Sequence, residues 1–155
     1  MPHQDHEMQP ALTKLRSILA SEASNGEKQQ AVCRWLHDER PHYDWVGFYI
    51  ARPAQKILKL GPYVGAPTEH TRIPYGRGIC GQVADSEETL VIDDVGNQEN
   101  YLACSMHVKS ELVVPIFKDG CFVAELDIDS HTKSRFGAQE VQFLESVAKE
   151  IAVLF

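Results

Sequence analysis

The sequence has few of the features that mark secreted, membrane-spanning or nucleic-acid-binding proteins. Its four cysteines (Cys33, Cys80, Cys104 and Cys121) are too few and too irregularly spaced for a disulfide framework. The 15 Lys and Arg residues are scattered and outnumbered by 22 Asp and Glu residues, which argues against a surface for nucleic acid or an anionic membrane. No apolar run approaches the length of a membrane span, and the N-terminus is unlike a secretion signal. We therefore expect a cytoplasmic protein with reduced thiols and a small soluble ligand.

The chain does contain enough apolar sequence for one compact domain over residues 1–155, since 43% of its residues are hydrophobic. Two stretches of apolar residues at helical spacing, separated by Asn25-Gly26, predict N-terminal helices over about residues 9–40. We expect the sheet and the ligand-site region over about residues 44–130. A regular apolar repeat predicts an amphipathic C-terminal helix over about residues 137–155.

Five segments have the β-branched and aromatic composition that is typical of strands. Residues 62–81, rich in Pro and Gly, predict a long irregular loop that leads into a short helix. The last two strands are joined by Asp119-Gly120, a strong hairpin signal. Because short turns join consecutive strands, the sequence predicts an antiparallel sheet with segregated helices, the α+β class. The five strand segments are 45–50, 56–61, 89–92, 112–117 and 121–129.

Three acidic residues, Glu111, Asp127 and Asp129, lie in apolar strand sequence. A carboxylate is costly to bury without a compensating cation or donor, so these positions suggest a ligand site. Asp127 and Asp129 share a face of one strand, and a hairpin closing at Asp119-Gly120 places Glu111 near Asp129. If the three converge, repulsion raises their pKa values, so that one can act as an acid while the others hold an ammonium group. Alternatively, this end of the sheet is exposed to solvent, or Asp129 caps a turn.

Two cysteines are candidates for chemistry. Cys80 follows the glycine-rich turn at 76–78 and lies in the first turn of the short helix, where the helix dipole favours a thiolate. The plainer interpretation of Cys80 is a small buried residue. Cys104 lies in a loop beside the suspected cavity and is the better candidate nucleophile. Cys33 and Cys121, on a helix and a strand, are assigned to packing.

Three further patterns are weaker. Residues 76–81 match the G-x-G-x-x-G dinucleotide fingerprint by letters alone, without the βαβ unit that it needs. Trp45 and Tyr49 share a face of the first strand and either wall an apolar pocket or belong to the ordinary core. Cys104 and His107, with Cys80 and His70, could be imagined as zinc ligands, but no Cys-x-x-Cys pair supports this and no metal is expected.

The segments RIPYGRGICG, IDDV, LACS, SELVVPIF and ELDIDS together resemble the GAF-domain family of free methionine-(R)-sulfoxide reductases. The resemblance runs from about Trp45 to the C-terminus. It implies a GAF-like six-stranded antiparallel sheet flanked by helices, and an oxidoreductase that reduces the free amino acid and not protein-bound methionine sulfoxide. It also implies that no cofactor is bound, and that a thioredoxin-type thiol reductant regenerates the protein with electrons that come indirectly from NADPH.

The same resemblance implies roles for individual residues. Cys104 matches the nucleophilic cysteine of the family, which attacks the sulfoxide sulfur, releases methionine and becomes a sulfenic acid. Cys80 matches an additional cysteine in the glycine-rich turn. Substrate binding falls to the carboxylates Glu111, Asp127 and Asp129, and to Trp45 and Tyr49, which lie where the family lines the methyl pocket.

His70 departs from the family pattern, because the usual resolving cysteine of the family lies at this position. A sulfenic acid on Cys104 must then be resolved by Cys80, by an external thiol, or not at all, with His70 as a possible modulator. The alternative is a non-catalytic GAF sensor that keeps the pocket and binds a small ligand. A module that only binds a partner is a third hypothesis, and the two N-terminal helices could supply a homodimer face.

Overall fold

The computed structural model describes residues 2–98 and 107–155, with side chains described from residue 10 onward. These residues form four α-helices and six strands, with short 3-10 turns at Val95–Asn97 and Ala152–Leu154. In chain order the elements are α1 Pro2–Ala20, α2 Asn25–Glu39, β1 Trp45–Arg52, β2 Ile57–Val64, β3 Arg72–Pro74, α3 Gly78–Ser86, β4 Leu90–Ile92, β5 Ser110–Lys118, β6 Cys121–Ser130 and α4 Ala138–Ile151.

The six strands form one antiparallel sheet in the order β3-β2-β1-β6-β5-β4. The predicted α+β class and the six-stranded antiparallel sheet flanked by helices are therefore confirmed. A tight turn at Asp119-Gly120 joins β5 to β6, and both turn residues have positive φ values, 52° and 78°, as a two-residue hairpin loop requires. The resulting register places Glu111 directly opposite Asp129, as predicted.

The first face of the sheet packs against α1, α2 and α4 and forms the larger apolar core. Alternate strand residues such as Phe48, Leu126 and Ile128 are fully buried there, against Leu36 of α2 and Leu144 of α4. Full burial of an apolar side chain of this size contributes roughly 1.5–3 kcal/mol. This face therefore supplies much of the stability of the fold.

The second face of the sheet is covered by α3 and β3. Trp45, Tyr49 and Val113 from the strands pack there against Ile79 and Val83 of α3. Successive strand residues point to opposite faces, so the acidic residues of β6 point towards α3 while the apolar residues between them point into the larger core. The polar chemistry of the molecule is therefore concentrated under α3.

The structure differs from the sequence pattern in two elements. The strand β3, which pairs with β2, lies inside the segment that was predicted to be an irregular loop. A strand of three residues shows too little alternation to be recognised in a sequence. Helix α1 begins at Pro2, earlier than the apolar spacing indicated. None of the helices among the described residues is both long and apolar enough to cross a membrane.

The two cysteines that were assigned to packing have different surroundings. Cys33 on α2 is fully buried, and its thiol donates to the carbonyl of Pro62 at 3.6 Å, so its assignment is confirmed. Cys121 is exposed, so its assignment was wrong. It is the first residue of β6, directly after the hairpin turn, where the sheet reaches solvent.

Candidate functional site

The three predicted carboxylates converge under α3. Glu111 on β5 lies opposite Asp129 on β6, and Asp127 lies on the same face of β6. Only 3%, 1% and 0% of Glu111, Asp127 and Asp129 are exposed. The alternative hypothesis of a solvent-exposed sheet end is therefore wrong. Carboxyl groups that are buried this close together need bound protons or a cation to neutralise their negative charge.

A fourth carboxylate, Glu125, belongs to the same face and was missed in the sequence. It is fully buried, next to Tyr49 on β1 and Pro115 on β5. Neither of its carboxylate oxygens has a hydrogen-bond partner of normal geometry within residues 2–98 and 107–155. The alternation of acidic and apolar residues in ELDIDS was the available signal, since Glu125 precedes Asp127 by two positions on a strand.

Cys80 on α3 faces the carboxylates from above the sheet. Its side chain is buried, and its thiol donates to the Asp127 carboxylate, with 3.3 Å between Sγ and Oδ2. A second carboxylate oxygen, Oε1 of Glu111, lies 4.0 Å from the same sulfur. Cys80 is therefore buried, as the plainer interpretation expected, but its thiol also contacts two carboxylates, which a residue that only fills space does not do.

The glycine-rich turn before α3 brings Cys80 to this point. Gly76 and Gly78 have φ values of 89° and 67°, a region that side chains other than glycine rarely adopt. A Cβ atom on Gly81 would lie 2.7 Å from the carbonyl oxygen of Pro74, so only glycine fits there. The strand before the turn is antiparallel to its neighbour, which agrees with the prediction that these glycines do not form a dinucleotide fingerprint.

The pKa values of the carboxyl groups are raised by their surroundings. Burial raises the pKa of Glu111 well above its usual value, and the nearby charges of Asp127 and Asp129 raise it further. Burial also raises the pKa of Asp127, to about 6, although hydrogen bonds from Glu111, Cys80 and Asp129 lower it in part. Burial raises the pKa of Glu125 well above its usual value, and the Cys80 thiol offsets this only in part. In the absence of a cation, this cluster holds protons at neutral pH.

A small cavity of about 10 Å³, room for about one water molecule, adjoins the carboxylates. Its lining includes the polar side chains of Glu111, Asp127 and Cys80, and also Arg77, which directly precedes α3. The remaining lining residues are Tyr49, His70, Ile73, Gly78 and Ile79. The cavity therefore combines acidic groups with a cationic side chain and a helix N-terminus.

The two predicted aromatic residues have different positions at this cavity. Tyr49 lines it, and its hydroxyl donates to the backbone carbonyl of His70 at 2.8 Å. Trp45 stacks on Tyr49, with 6.4 Å between ring centroids, and on Tyr63, with 5.3 Å between them. Its indole N–H donates to the carbonyl of Ala66 at 3.0 Å. Trp45 therefore supports Tyr49 from behind, and the cavity lining among the described residues includes Tyr49 and not Trp45.

Cys104, the predicted nucleophile, lies outside the described residues, so its role stays a prediction. The described residues that flank it in the sequence lie at the end of the sheet that carries the acidic cluster. The backbone N–H of Val95 donates to the carbonyl of Lys109 at 2.8 Å, and the N–H of Lys109 donates to the carbonyl of Ser130 at 2.8 Å. Ile92 pairs with Glu111 in the sheet. The chain on both sides of this segment is thus anchored beside the acidic cluster.

Comparisons with known proteins agree with this geometry. Residues 12–155 match the GAF domain family. The chain is 31% identical over 135 residues to the free methionine-R-sulfoxide reductase of Escherichia coli (strain K12), covering 87% of this chain and 80% of that protein.

Two solved structures are similar to the chain over most of its length. The free methionine-R-sulfoxide reductase of Neisseria meningitidis, in complex with its substrate, is 32% identical with a TM-score of 0.88, covering 96% of this chain and 87% of that chain. The type II free methionine-R-sulfoxide reductase of Thermoplasma acidophilum is 36% identical with a TM-score of 0.80, covering 84% of this chain and 91% of that chain.

Proposed function

Because the chain belongs to the GAF-domain family of free methionine-(R)-sulfoxide reductases, we propose that it reduces free methionine-(R)-sulfoxide to methionine. The observation that carries the proposal is the buried meeting of Glu111, Asp127 and Cys80 at a small cavity. A buried acidic cluster of this kind is complementary to a cationic group, and the substrate carries an ammonium group.

The lining of the cavity suits the two charges of a free amino acid. Asp127 and Asp129 receive the ammonium group, whose positive charge compensates their burial. Arg77 and the N-terminus of α3 provide positive potential for the substrate carboxylate. A methionine sulfoxide inside a peptide lacks both charges. The site therefore selects the free amino acid.

The chemistry requires a thiol and a proton donor. The Cys104 sulfur attacks the sulfoxide sulfur, the oxygen passes to Cys104, and methionine leaves while Cys104 becomes a sulfenic acid. Glu111 assists by donating a hydrogen bond to the sulfoxide oxygen, since its raised pKa keeps it protonated at neutral pH. Tyr49, with Trp45 stacked behind it, holds the methyl end of the substrate.

Regeneration returns the sulfenic acid to a thiol. A dithiol reductant of the thioredoxin type reduces it, giving the Cys104 thiol, a reductant disulfide and one water molecule, and NADPH recharges the reductant. Because His70 occupies the place of the usual resolving cysteine, the external thiol attacks Cys104 either directly or after Cys80 has formed an internal disulfide. The hydrogen bond from Cys80 to Asp127 holds Cys80 in its thiol form before this step.

A coupled assay tests the proposal. The reduced protein is mixed with free methionine-(R)-sulfoxide, thioredoxin, thioredoxin reductase and NADPH, and NADPH oxidation is followed. We expect turnover by the wild type and none by Cys104→Ser. Cys121→Ser is the matched control, because this thiol is exposed and distant from the cavity. Equal NADPH oxidation by wild type and Cys104→Ser would contradict the proposal.

His70 favours a second candidate function, a non-catalytic sensor that binds a small amino acid in the same cavity. The two functions are separated by combining the assay with calorimetry. Binding of methionine without turnover supports the sensor, whereas turnover supports the reductase. Mass spectrometry after one addition of substrate shows whether Cys80 and Cys104 become linked.

A further inference from the structure

Three side chains with metal-ligating atoms meet at the base of the cavity. The sulfur of Cys80 and one carboxylate oxygen each from Glu111 and Asp127 all lie within 4.8 Å of one another, and all three residues are buried. Sulfur-to-oxygen distances are 3.3 Å to Asp127 and 4.0 Å to Glu111. In a tetrahedral zinc site, with Zn–S of about 2.3 Å and Zn–O of about 2.0 Å, the distance between sulfur and oxygen ligands is about 3.5 Å. The observed distances lie on either side of this value.

A second observation points to a ligand that is cationic. The Oδ1 atom of Asp127 is buried and has no hydrogen-bond partner of normal geometry within residues 2–98 and 107–155, and the same is true of both oxygens of the neighbouring Glu125. None of the ion pairs among these residues includes Glu111, Glu125 or Asp127. Buried carboxylates without a basic partner are compensated either by protons, as in this cluster without a metal, or by a cation that displaces those protons.

We propose that Cys80, Glu111 and Asp127 form a binding site for a divalent cation of the Zn²⁺ type, with a fourth coordination position open to the cavity. Cys80 binds as a thiolate, and its proton passes to solvent when the metal enters. One sulfur and two oxygen ligands suit Zn²⁺ or Co²⁺. Ca²⁺ takes roughly six to eight oxygen ligands, and Mg²⁺ prefers an octahedron of oxygen atoms. Neither ion therefore fits a site with one sulfur and two oxygen ligands.

The site was not predicted from the sequence because its ligands are far apart in the chain. Cys80 is separated from Glu111 by 31 positions and from Asp127 by 47 positions. Zinc sites recognised in sequences have two ligands within a few residues of each other. The proposal depends only on the geometry of these three side chains and does not rest on the proposed reductase function. Because that function uses the same carboxylates, the metal ion and the substrate compete for this site.

Cobalt titration tests the site, because a thiolate bound to Co²⁺ gives a charge-transfer absorption band in the near ultraviolet. Reduced, metal-free protein is titrated with Co²⁺ without oxygen. We expect a band that saturates at one Co²⁺ per chain and disappears when Zn²⁺ is added. Glu111→Gln and Asp127→Asn should each weaken Co²⁺ binding at least about tenfold, since each loses a charged ligand, whereas Asp119→Asn at the hairpin turn should not.

A variant with Cys80 as its only thiol (Cys33→Ala, Cys104→Ser, Cys121→Ser) assigns the band to one sulfur. It should keep the band, and the further substitution Cys80→Ser should remove it. If this variant does not fold, as judged by circular dichroism, the wild type and its single Cys80→Ser variant decide the question. No band in folded wild-type protein, or an equal band in Cys80→Ser, would overturn the proposal.

Discussion

Replacing Glu125 by leucine should stabilise the protein. Glu125 is fully buried, next to Tyr49 and Pro115, and neither of its oxygens has a hydrogen-bond partner of normal geometry among the described residues. Leucine is similar in volume and needs no hydrogen bonds. The substitution Glu125→Leu therefore removes a desolvated polar group without opening a large cavity.

The size of the effect follows from the cost of an unsatisfied buried polar group, which is about 1–3 kcal/mol. We expect the free energy of unfolding of Glu125→Leu to rise by about this amount at neutral pH. For a chain of this length, each 1 kcal/mol raises the melting temperature by about 2–4 °C. Glu88→Leu is the control, because Glu88 is exposed, and surface substitutions change stability by less than about 0.5 kcal/mol.

The pH dependence of this effect has a definite sign. The folded state raises the pKa of Glu125 well above 4.5, so the folded state binds a proton that the unfolded state releases as the pH rises. The wild type therefore loses stability as the pH rises from the unfolded pKa towards the folded pKa. The advantage of Glu125→Leu should be smallest near pH 4.5, where only the cost of the buried protonated carboxyl group remains, and should grow up to neutral pH.

Urea unfolding followed by tryptophan fluorescence across this pH range measures both quantities. Because Glu125 interacts electrostatically with Asp127, the difference between wild type and variant measures the contribution of Glu125 together with its coupling to Asp127. A Glu125→Leu variant that is less stable than the wild type, or an advantage that does not change with pH, would refute the reasoning.

Two further predictions concern the proposed substrate site. Asp127→Asn should lower kcat/KM for free methionine-(R)-sulfoxide by about 30-fold or more, since losing one partner of a buried charge pair costs about 2–5 kcal/mol. Asp119→Asn serves as the control, and equal kinetics for the two variants would exclude Asp127 from substrate binding. Methionine binding, measured by calorimetry, should weaken as the pH falls through about 6, the pKa of Asp127, because the ammonium group binds the ionised carboxylate; an affinity that is constant across this range would contradict the assignment.

The hairpin that carries the site could be predicted from sequence because its signals are local. Asp119-Gly120 fixes the turn, and the turn fixes the register of β5 and β6. Once the register is known, strand alternation places Glu111, Asp127 and Asp129 on one face. Every step uses residues that are neighbours along the chain or across one hairpin.

The contacts of Cys80 could not be predicted in the same way. The position of α3 over the sheet depends on the glycine turn and on packing of Ile79 and Val83 against β1 and β5, which are interactions between distant parts of the chain. Nothing local in the sequence fixes the distance of 3.3 Å between Cys80 and Asp127. The strand β3 was missed because it is short. Glu125 has the same spacing as Asp127 and Asp129, so strand alternation already places it on their face of β6.

The residues on the two faces of β6 have different roles, one structural and one chemical. Ala124, Leu126 and Ile128 face the larger apolar core and are fully buried, so they stabilise the fold. The residues between them are acidic, equally buried, and costly to the folded state until a cation arrives. A ligand with a positive charge therefore binds to a site whose desolvation has already occurred during folding. Its binding energy includes relief of that cost, which is how one strand can serve both a rigid core and a cation-binding cavity.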